Sequence, residues 1–191
     1  MKPILEIANL IDYQEQQALY KAVTDINFPW HYLEDTTYER SNKASTPTPG
    51  FTHLLFNNSG EQSEYLKLFT PVFLKGVEAS RLKLISTIRL RLGFLLNTRY
   101  NLPNQPYVYN TPHVDYEGDH YTALYYLNSC DGDTIIFNET EESPKYSPKH
   151  RITPHAGKFA VFNGRHYHAS SCPKMLSSRI VLTMNFVAEE M

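Results

Sequence analysis

The chain is poor in cysteine. Its two, Cys130 and Cys172, form neither a CxxC nor a zinc-ribbon spacing, so they read as a pair of reduced thiols in a cytoplasmic protein. It has no apolar run of membrane length; the densest segment, Leu90 to Leu96, is interrupted by Arg91 and Gly93. The N-terminal segment turns acidic and polar by Glu6 and Asp12, too soon for a secretory leader. Neither sign of charge dominates: 18 Lys and Arg against 20 Asp and Glu leave a net charge of −2. That balance argues against a general nucleic-acid binder, although it leaves room for a local basic patch. GxSxG, Walker and GxGxxG motifs are all missing, so hydrolase, nucleotide and dinucleotide readings have no support.

What is present describes one globular domain. At 191 residues, 41% hydrophobic and 20% charged, the chain is long enough to bury roughly 70% of its unfolded surface without disulfides or metal. Fourteen Tyr and ten Phe beside one Trp suit the half-buried surface of a sheet.

The first third reads as helical and mixed. Asp12 caps a helix through Gln16, Ala18, Leu19 and Val23, and a loop follows whose least ordered part is Ser45 to Gly50. A second helix is expected from about Glu61 to Ser80, with Pro71 at a kink or at the start of a new segment. After Arg81 the hydrophobic period changes from about 3.6 to 2. Leu82, Leu84, Ile88, Leu90, Leu92, Phe94 and Leu96 form one greasy face of a long strand. Later strands are expected over Tyr121–Leu127, Thr134–Phe137, Lys158–Phe162 and Arg179–Val187. They are separated by Asp131-Gly132-Asp133, the Pro-rich Glu139–Pro154 stretch and Asn163-Gly164. Helices first and short strands after predict a mainly β, α+β fold: a sandwich or barrel backed by helices.

Thr111-Pro112-His113-Val114-Asp115 holds the only HxD of the chain, where chance supplies about 0.3 such pairs. In an extended segment i and i+2 point to one face, so an imidazole and a carboxylate converge on one cation; the ordinary reading is a surface His beside a turn Asp. His168 stands 55 positions later, and Arg179 opens a strand on which Arg179, Val181, Thr183 and Asn185 share one face. A guanidinium at the head of a small, semi-polar face suits an anion held inside a barrel, with Thr183 adding a hydrogen bond.

The HxD pair, Tyr125-Tyr126-Leu127-Asn128, the turn Asp131-Gly132-Asp133-Thr134, a P-x-x-G-x-F-x-V-F run from Pro154 to Phe162, His168-Ala169 and the Arg179 strand follow one another in order. From about Arg89 to Val187 this resembles the iron(II)- and 2-oxoglutarate-dependent dioxygenases, in their prolyl-4-hydroxylase-like branch. The resemblance implies a double-stranded β-helix (a cupin-like jelly roll) over about 81–188, with helical support over about 1–80. It implies Fe(II) held by His113, Asp115 and His168, with 2-oxoglutarate and O₂ as co-substrates and ascorbate as an accessory reductant. The far carboxylate of 2-oxoglutarate is implied to meet Arg179, Thr183 and Tyr126. The reaction implied is oxidative decarboxylation to succinate and CO₂ coupled to hydroxylation of a C–H, with a peptidyl proline as the family-level substrate and small metabolites open beside it. His166 shares a strand face with His168; the resemblance favours His168, which precedes a small residue and a break, and leaves His166 at the rim.

Several features keep two readings. Arg89 and Arg91 either line the barrel mouth or face solvent, and Tyr107 and Tyr109 either flank a substrate channel or pack. Asp131-Gly132-Asp133 begins like a calcium loop, but Ile136 stands where its sharp turn needs Gly, so it reads as a hairpin turn. Loops expected to select the substrate are Asn101–Thr111, Tyr116–His120 and Glu139–Pro154. Two other classes compete: a cupin-like metalloenzyme without 2-oxoglutarate, and a non-catalytic jelly-roll binding protein. Arg179 separates the first, because a buried guanidinium with no anion is costly.

Overall fold

The structure is a computed structural model that describes residues 4–36, 48–97 and 109–191. Within them the chain runs β1 (Leu5–Ile7), α1 (Tyr13–Thr24), β2 (His31–Leu33), β3 (Gly50–Asn57), β4 (Gly60–Glu61), α2 (Leu66–Ala79) and β5 (Leu82–Leu96). It continues through β6 (Tyr121–Tyr126), β7 (Thr134–Phe137), β8 (Pro148–Ile152), β9 (Phe159–Asn163), β10 (His168–Ser170) and β11 (Ser178–Glu190).

All pairing is antiparallel. A large sheet has the order β1-β9-β6-β11-β5-β3-β2, with β4 paired to β3, and a smaller sheet has the order β10-β7-β8. The chain crosses between them four times, after β6, β8, β9 and β10. The result is the two-sheet jelly roll that the sequence predicts, backed by its two helices.

The alternation on β11 decides how the large sheet packs. Ile180, Leu182, Met184 and Phe186 join Leu90, Leu92, Tyr121, Tyr125 and Phe159 on one face, against Leu19, Val23, Phe69, Phe73 and Val77 of the helices. The other face carries Leu124, Tyr126, Ala160, Phe162 and Val181, packed against Ile136 and Ile152 of the small sheet.

Helix α1 begins with a capping box: Glu15 N donates to Asp12 Oδ1 at 2.8 Å and Asp12 N to Glu15 Oε2 at 3.3 Å. Helix α2 starts later than predicted, because Gly60 and Glu61 pair with Asn57 and Phe56 instead. Pro71 lies inside one continuous helix, where its ring forfeits a single main-chain bond in the second turn.

Other expectations change in instructive ways. Strand β3 falls where the sequence reads as loop. Its buried His53, bonded to Pro29 O at 2.9 Å and Ser63 Oγ at 2.7 Å, interrupts the apolar period that would have announced a strand. On β5, register shifts opposite Asn185/Phe186 and Val187/Ala188 leave Ile88 and Ile85 as extra residues. Because the two shifts offset each other, Leu82, Leu84, Leu90, Leu92 and Phe94 all join the helix-side core as predicted; Ile88 is lost to a bulge, and Leu96, at the strand's end, is 47% exposed. Asp131-Gly132-Asp133 is not a hairpin turn, since it carries the chain from β6 in one sheet to β7 in the other. Glu139–Pro154 is not wholly loop, because it contains β8. Ser45 to Pro47, Tyr107 and most of Asn101–Thr111 lie outside the described residues.

Gly76 sets how closely α2 approaches the sheet. A Cβ there would stand 2.2 Å from the ring of Phe159, which is itself fully buried. Gly76→Ala gains about 1 kcal/mol of helix propensity but overpacks a ring that cannot retreat, at about 1–3 kcal/mol. Net destabilisation is the expected outcome of denaturant unfolding, and a stabilised variant would show that the α2 contact yields easily.

Candidate metal centre and adjoining cavities

The HxD segment meets the second histidine through the main chain. His113 N donates to His168 O at 3.0 Å and His168 N to His113 O at 2.9 Å, an isolated antiparallel bridge at the edge of the small sheet. The bridge brings the two rings to a centroid distance of 4.7 Å, and Asp115, two residues on, turns back to the same side. Ligand atoms of His113, Asp115 and His168 all lie within 4.8 Å of one another. Asp115 Oδ2 is 3.4 Å from His168 Nε2, and Oδ1 is 3.9 Å from His113 Nε2.

Backbone carbonyls orient both rings. Nδ1 of His113 bonds Thr111 O at 3.0 Å and Nδ1 of His168 bonds His166 O at 3.2 Å, which turns each Nε2 toward the aspartate. Desolvation, followed by the neighbouring His168, pushes the pKa of His113 down to about 4, so that imidazole is neutral at pH 7. His166 does not join the cluster; its Nε2 meets Lys149 Nζ at 2.9 Å.

Asp115 is held from three sides. Arg89 Nη2 donates to Oδ1 at 2.7 Å, and Asn185 Nδ2 donates to Oδ2 at 3.0 Å. Arg89 Nε reaches Asn185 Oδ1 at 3.2 Å, closing the triangle. Burial alone would raise the carboxyl pKa; the Arg89 guanidinium and then His168 overcome it and hold Asp115 well below the usual carboxylate range. Behind Asn185 the chain of bonds continues through Thr122 Oγ1 at 3.1 Å to buried His120, whose ring occupies the space a Cβ on Gly164 would need. His120, Thr122 and the Arg89–Asn185 contact went unread in the sequence. The available signal was the shared β11 face of Asn185, Thr183 and Arg179.

A cavity of about 70 Å³ begins at His113, Asp115 and His168 and ends at Arg179, with Thr134, Ser170 and Thr183 among its walls. Arg179 is 4% exposed. Its Nε donates to Gly132 O at 2.9 Å and its Nη2 to Thr134 Oγ1 at 2.8 Å, and among the described residues it makes no ion pair. Gly132 is required there, since a Cβ would press on Ser171 O at 2.5 Å. Tyr126 stands one layer back: its hydroxyl bonds Thr134 Oγ1 at 2.8 Å and its ring lies under the guanidinium at 5.5 Å. Burial pushes the Tyr126 phenol up to about 12, against the opposing pull of Arg179.

Beside the first cavity opens a second, of about 410 Å³, whose walls include Arg89, Arg91, Asp115, Tyr116 and Asn185. Both arginines therefore face the site. Tyr109 packs edge-on against Phe137 at 5.1 Å, and Cys130 and Cys172 are buried and unbridged. Among the described residues no helix is long and apolar enough to cross a membrane.

An antiparallel jelly roll with a His–Asp–His cluster between its sheets defines a recognisable class of architecture. No protein-family model and no curated protein matches the sequence. Solved structures match by fold. A prolyl-4-hydroxylase from Pseudomonas putida is 17% identical at a TM-score of 0.56, over 97% of this chain and 92% of its own. An oxidoreductase of the 2OG-Fe(II) oxygenase family from Burkholderia pseudomallei is 10% identical at a TM-score of 0.66, over 96% and 84%. The epimerase SnoN from nogalamycin biosynthesis, in complex with Fe³⁺, alpha-ketoglutarate and nogalamycin RO, is 12% identical at 0.58, over 96% and 78%. The chain thus has the fold of the 2-oxoglutarate oxygenases, prolyl hydroxylases among them.

Arg89→Met leaves a carboxylate that is 3% exposed without its charged partner. Because Asn185 and His168 still bond it, the expected loss lies near the lower end of the range for a broken buried pair, about 3 kcal/mol. Arg165→Met, at an exposed pair with Asp119, costs under about 1 kcal/mol. Denaturant unfolding of the metal-free proteins compares the two, and equal losses would deny Arg89 its special place.

Proposed function

We propose that this protein is an iron(II)- and 2-oxoglutarate-dependent dioxygenase that hydroxylates a substrate C–H. The observation that carries the reading is Arg179: a buried guanidinium with no ion-pair partner among the described residues, closing a cavity whose other end is the His113–Asp115–His168 cluster.

The donors suit ferrous iron. Two imidazole nitrogens and one carboxylate oxygen converge from one side, the pattern of a facial triad with open positions. Arg179 has three further N–H groups beyond the two bonded to Gly132 and Thr134, in a fork that fits a carboxylate. When bound, ferrous iron with 2-oxoglutarate and O₂ supplies the oxidation, one oxygen atom ending in succinate and the other in the hydroxylated substrate, with release of CO₂.

The chain's own residues do the remaining work. His113 and His168 offer Nε2 because their Nδ1 atoms are tied to carbonyls. Arg89 and Asn185 keep Asp115 ionised and fixed in direction. Arg179, Thr134 and Thr183 line the end that would receive the distal carboxylate, and Tyr126 steadies Thr134 from behind. The fold does not select a substrate, since a prolyl-4-hydroxylase and an epimerase both have it. Peptidyl proline enters only from the likeness to prolyl hydroxylases. The two buried thiols suit a cytoplasmic setting.

Anaerobic addition of Fe(II) and 2-oxoglutarate should produce a visible metal-to-ligand charge-transfer band. Well-folded protein that shows no band, and forms no succinate when O₂ is admitted, would instead fit a metalloprotein that does not use 2-oxoglutarate. Arg179→Ala should weaken 2-oxoglutarate binding by well over tenfold with metal still bound, as expected for loss of a buried charged partner worth about 2–5 kcal/mol. His168→Ala should abolish iron-dependent turnover, whereas His166→Ala only weakens it; loss of iron in His166→Ala with retention in His168→Ala would reverse the assignment.

A further inference from the structure

We propose that His120 and Thr122 are positioning residues. Through Asn185 they set the direction of the Asp115 carboxylate, and so the strength with which the His113–Asp115–His168 cluster holds a metal ion. The inference rests on the metal-centre part of the reading above and deepens it.

Strand register puts the parts in line. Asn185 of β11 stands directly opposite Arg89 of β5 on one side and Thr122 of β6 on the other, a row across three strands of the inner face. His120 lies two residues before Thr122, and its ring closes the row. Thr122 is fully buried, and His120 and Asn185 are each 1% exposed, so water does not compete for these bonds.

Each group in the row has one consistent role. Asn185 Oδ1 accepts from Arg89 Nε at 3.2 Å, so Nδ2 is the end that donates, to Asp115 Oδ2 at 3.0 Å and to Thr122 Oγ1 at 3.1 Å. Thr122 Oγ1 in turn lies 3.3 Å from His120 Nε2. On the far side of the ring Nδ1 meets Gly118 O at 3.0 Å. A carbonyl only accepts, so Nδ1 carries the imidazole proton and Nε2 accepts from the Thr122 hydroxyl. Burial pushes the His120 pKa below its ordinary value, which keeps the ring neutral and Nε2 open. With Nδ2 shared between Thr122 and Asp115, the Asn185 amide cannot turn without breaking two buried bonds. Asp115 is thus aimed from behind as well as gripped by Arg89.

Gly164 seats the ring. Its N donates to His120 O at 2.9 Å, and a Cβ there would overlap His120 Nε2, the atom that receives the Thr122 proton.

The test titrates Co(II) into the metal-free full chain and its variants, reading the Kd and the visible d–d spectrum, beside denaturant unfolding without metal. Thr122→Val keeps the shape and removes the hydroxyl; it and His120→Ala should each weaken Co(II) binding about fivefold and alter the spectrum, short of the roughly 10–100-fold usual for a direct partner of a ligand. Thr122→Ser and His120→Gln, which keep a hydroxyl and an acceptor, should bind Co(II) as the wild type does. Gly164→Ala should match His120→Ala, and adding it to His120→Ala should weaken binding no further. His53→Leu removes another buried, doubly bonded histidine, packed on the helix side against Phe28 and Tyr65, and should cost stability alone.

Lost stability with unchanged Co(II) affinity and spectrum in both Thr122→Val and His120→Ala would overturn the proposal. So would an equal loss of affinity in His53→Leu, failure of Thr122→Ser to restore binding, or a wild type that binds no Co(II). A wild type that binds Co(II) but not 2-oxoglutarate counts against the co-substrate reading alone, because these titrations contain none.

Discussion

Two main-chain hydrogen bonds between His113 and His168 hold the site together. They join segments 55 residues apart in the chain, and they fix the side chains as well as the backbone, because directly opposed residues of an antiparallel bridge project to the same side. Asp115 gains its place from the same bridge, being two residues beyond His113. A cluster built this way is set by the register of the small sheet, where His168 also faces Ile136, rather than by the preferences of three separate side chains. A one-residue slip would turn His168 away and leave Asp115 with a single imidazole.

The large sheet divides its tasks between its faces. Toward the helices it is almost wholly apolar, and that face supplies the burial on which the fold depends. Toward the small sheet it carries Arg89, Arg91 and Arg179 among small and polar neighbours. Arg89 is matched by Asp115, and Arg179 by the dipoles of Gly132 and Thr134 over the face of Tyr126. Arg91 borders both cavities. Buried cations cost free energy unless an anion or strong dipoles meet them, so this face is held in place by the packing of the other.

The sequence makes the site more legible than the scaffold around it. His113, Asp115 and His168 are recognisable because HxD is rare and because the motifs that follow it keep their order. The geometry brings those three together and turns His166 toward Lys149. Strands β6, β7, β9 and β11 announce themselves by alternation or by short apolar runs between turns. β3 does not, because a buried, doubly bonded histidine stands where the period calls for an apolar residue. β5 is visible as a strand and most of its apolar face is read correctly, but Ile88 and Ile85 are bulged out of register, and a bulge leaves no mark in a hydrophobicity pattern. The direction of Arg89 was equally hidden. Alternation says which face it shares with Arg91, but only the contact with Asp115 and Asn185 says that this face is the inside.

The inner face also bears on what the protein is for. Replacing a buried ion pair by packed apolar side chains is often neutral or stabilising, so Arg89 with Asp115 is a poor device for stability alone. Arg179 is poorer still, having no countercharge among the described residues and only two of its five N–H groups in the bonds above. Each of these residues makes physical sense once a ligand is added: a cation for the carboxylate that Arg89 holds ionised, and an anion for the guanidinium at the far end. On the proposed reading the two ligands would have opposite charge and share one cavity, the arrangement a metal-chelating dicarboxylate would complete. A jelly roll that merely bound a neutral molecule would leave both charges unexplained.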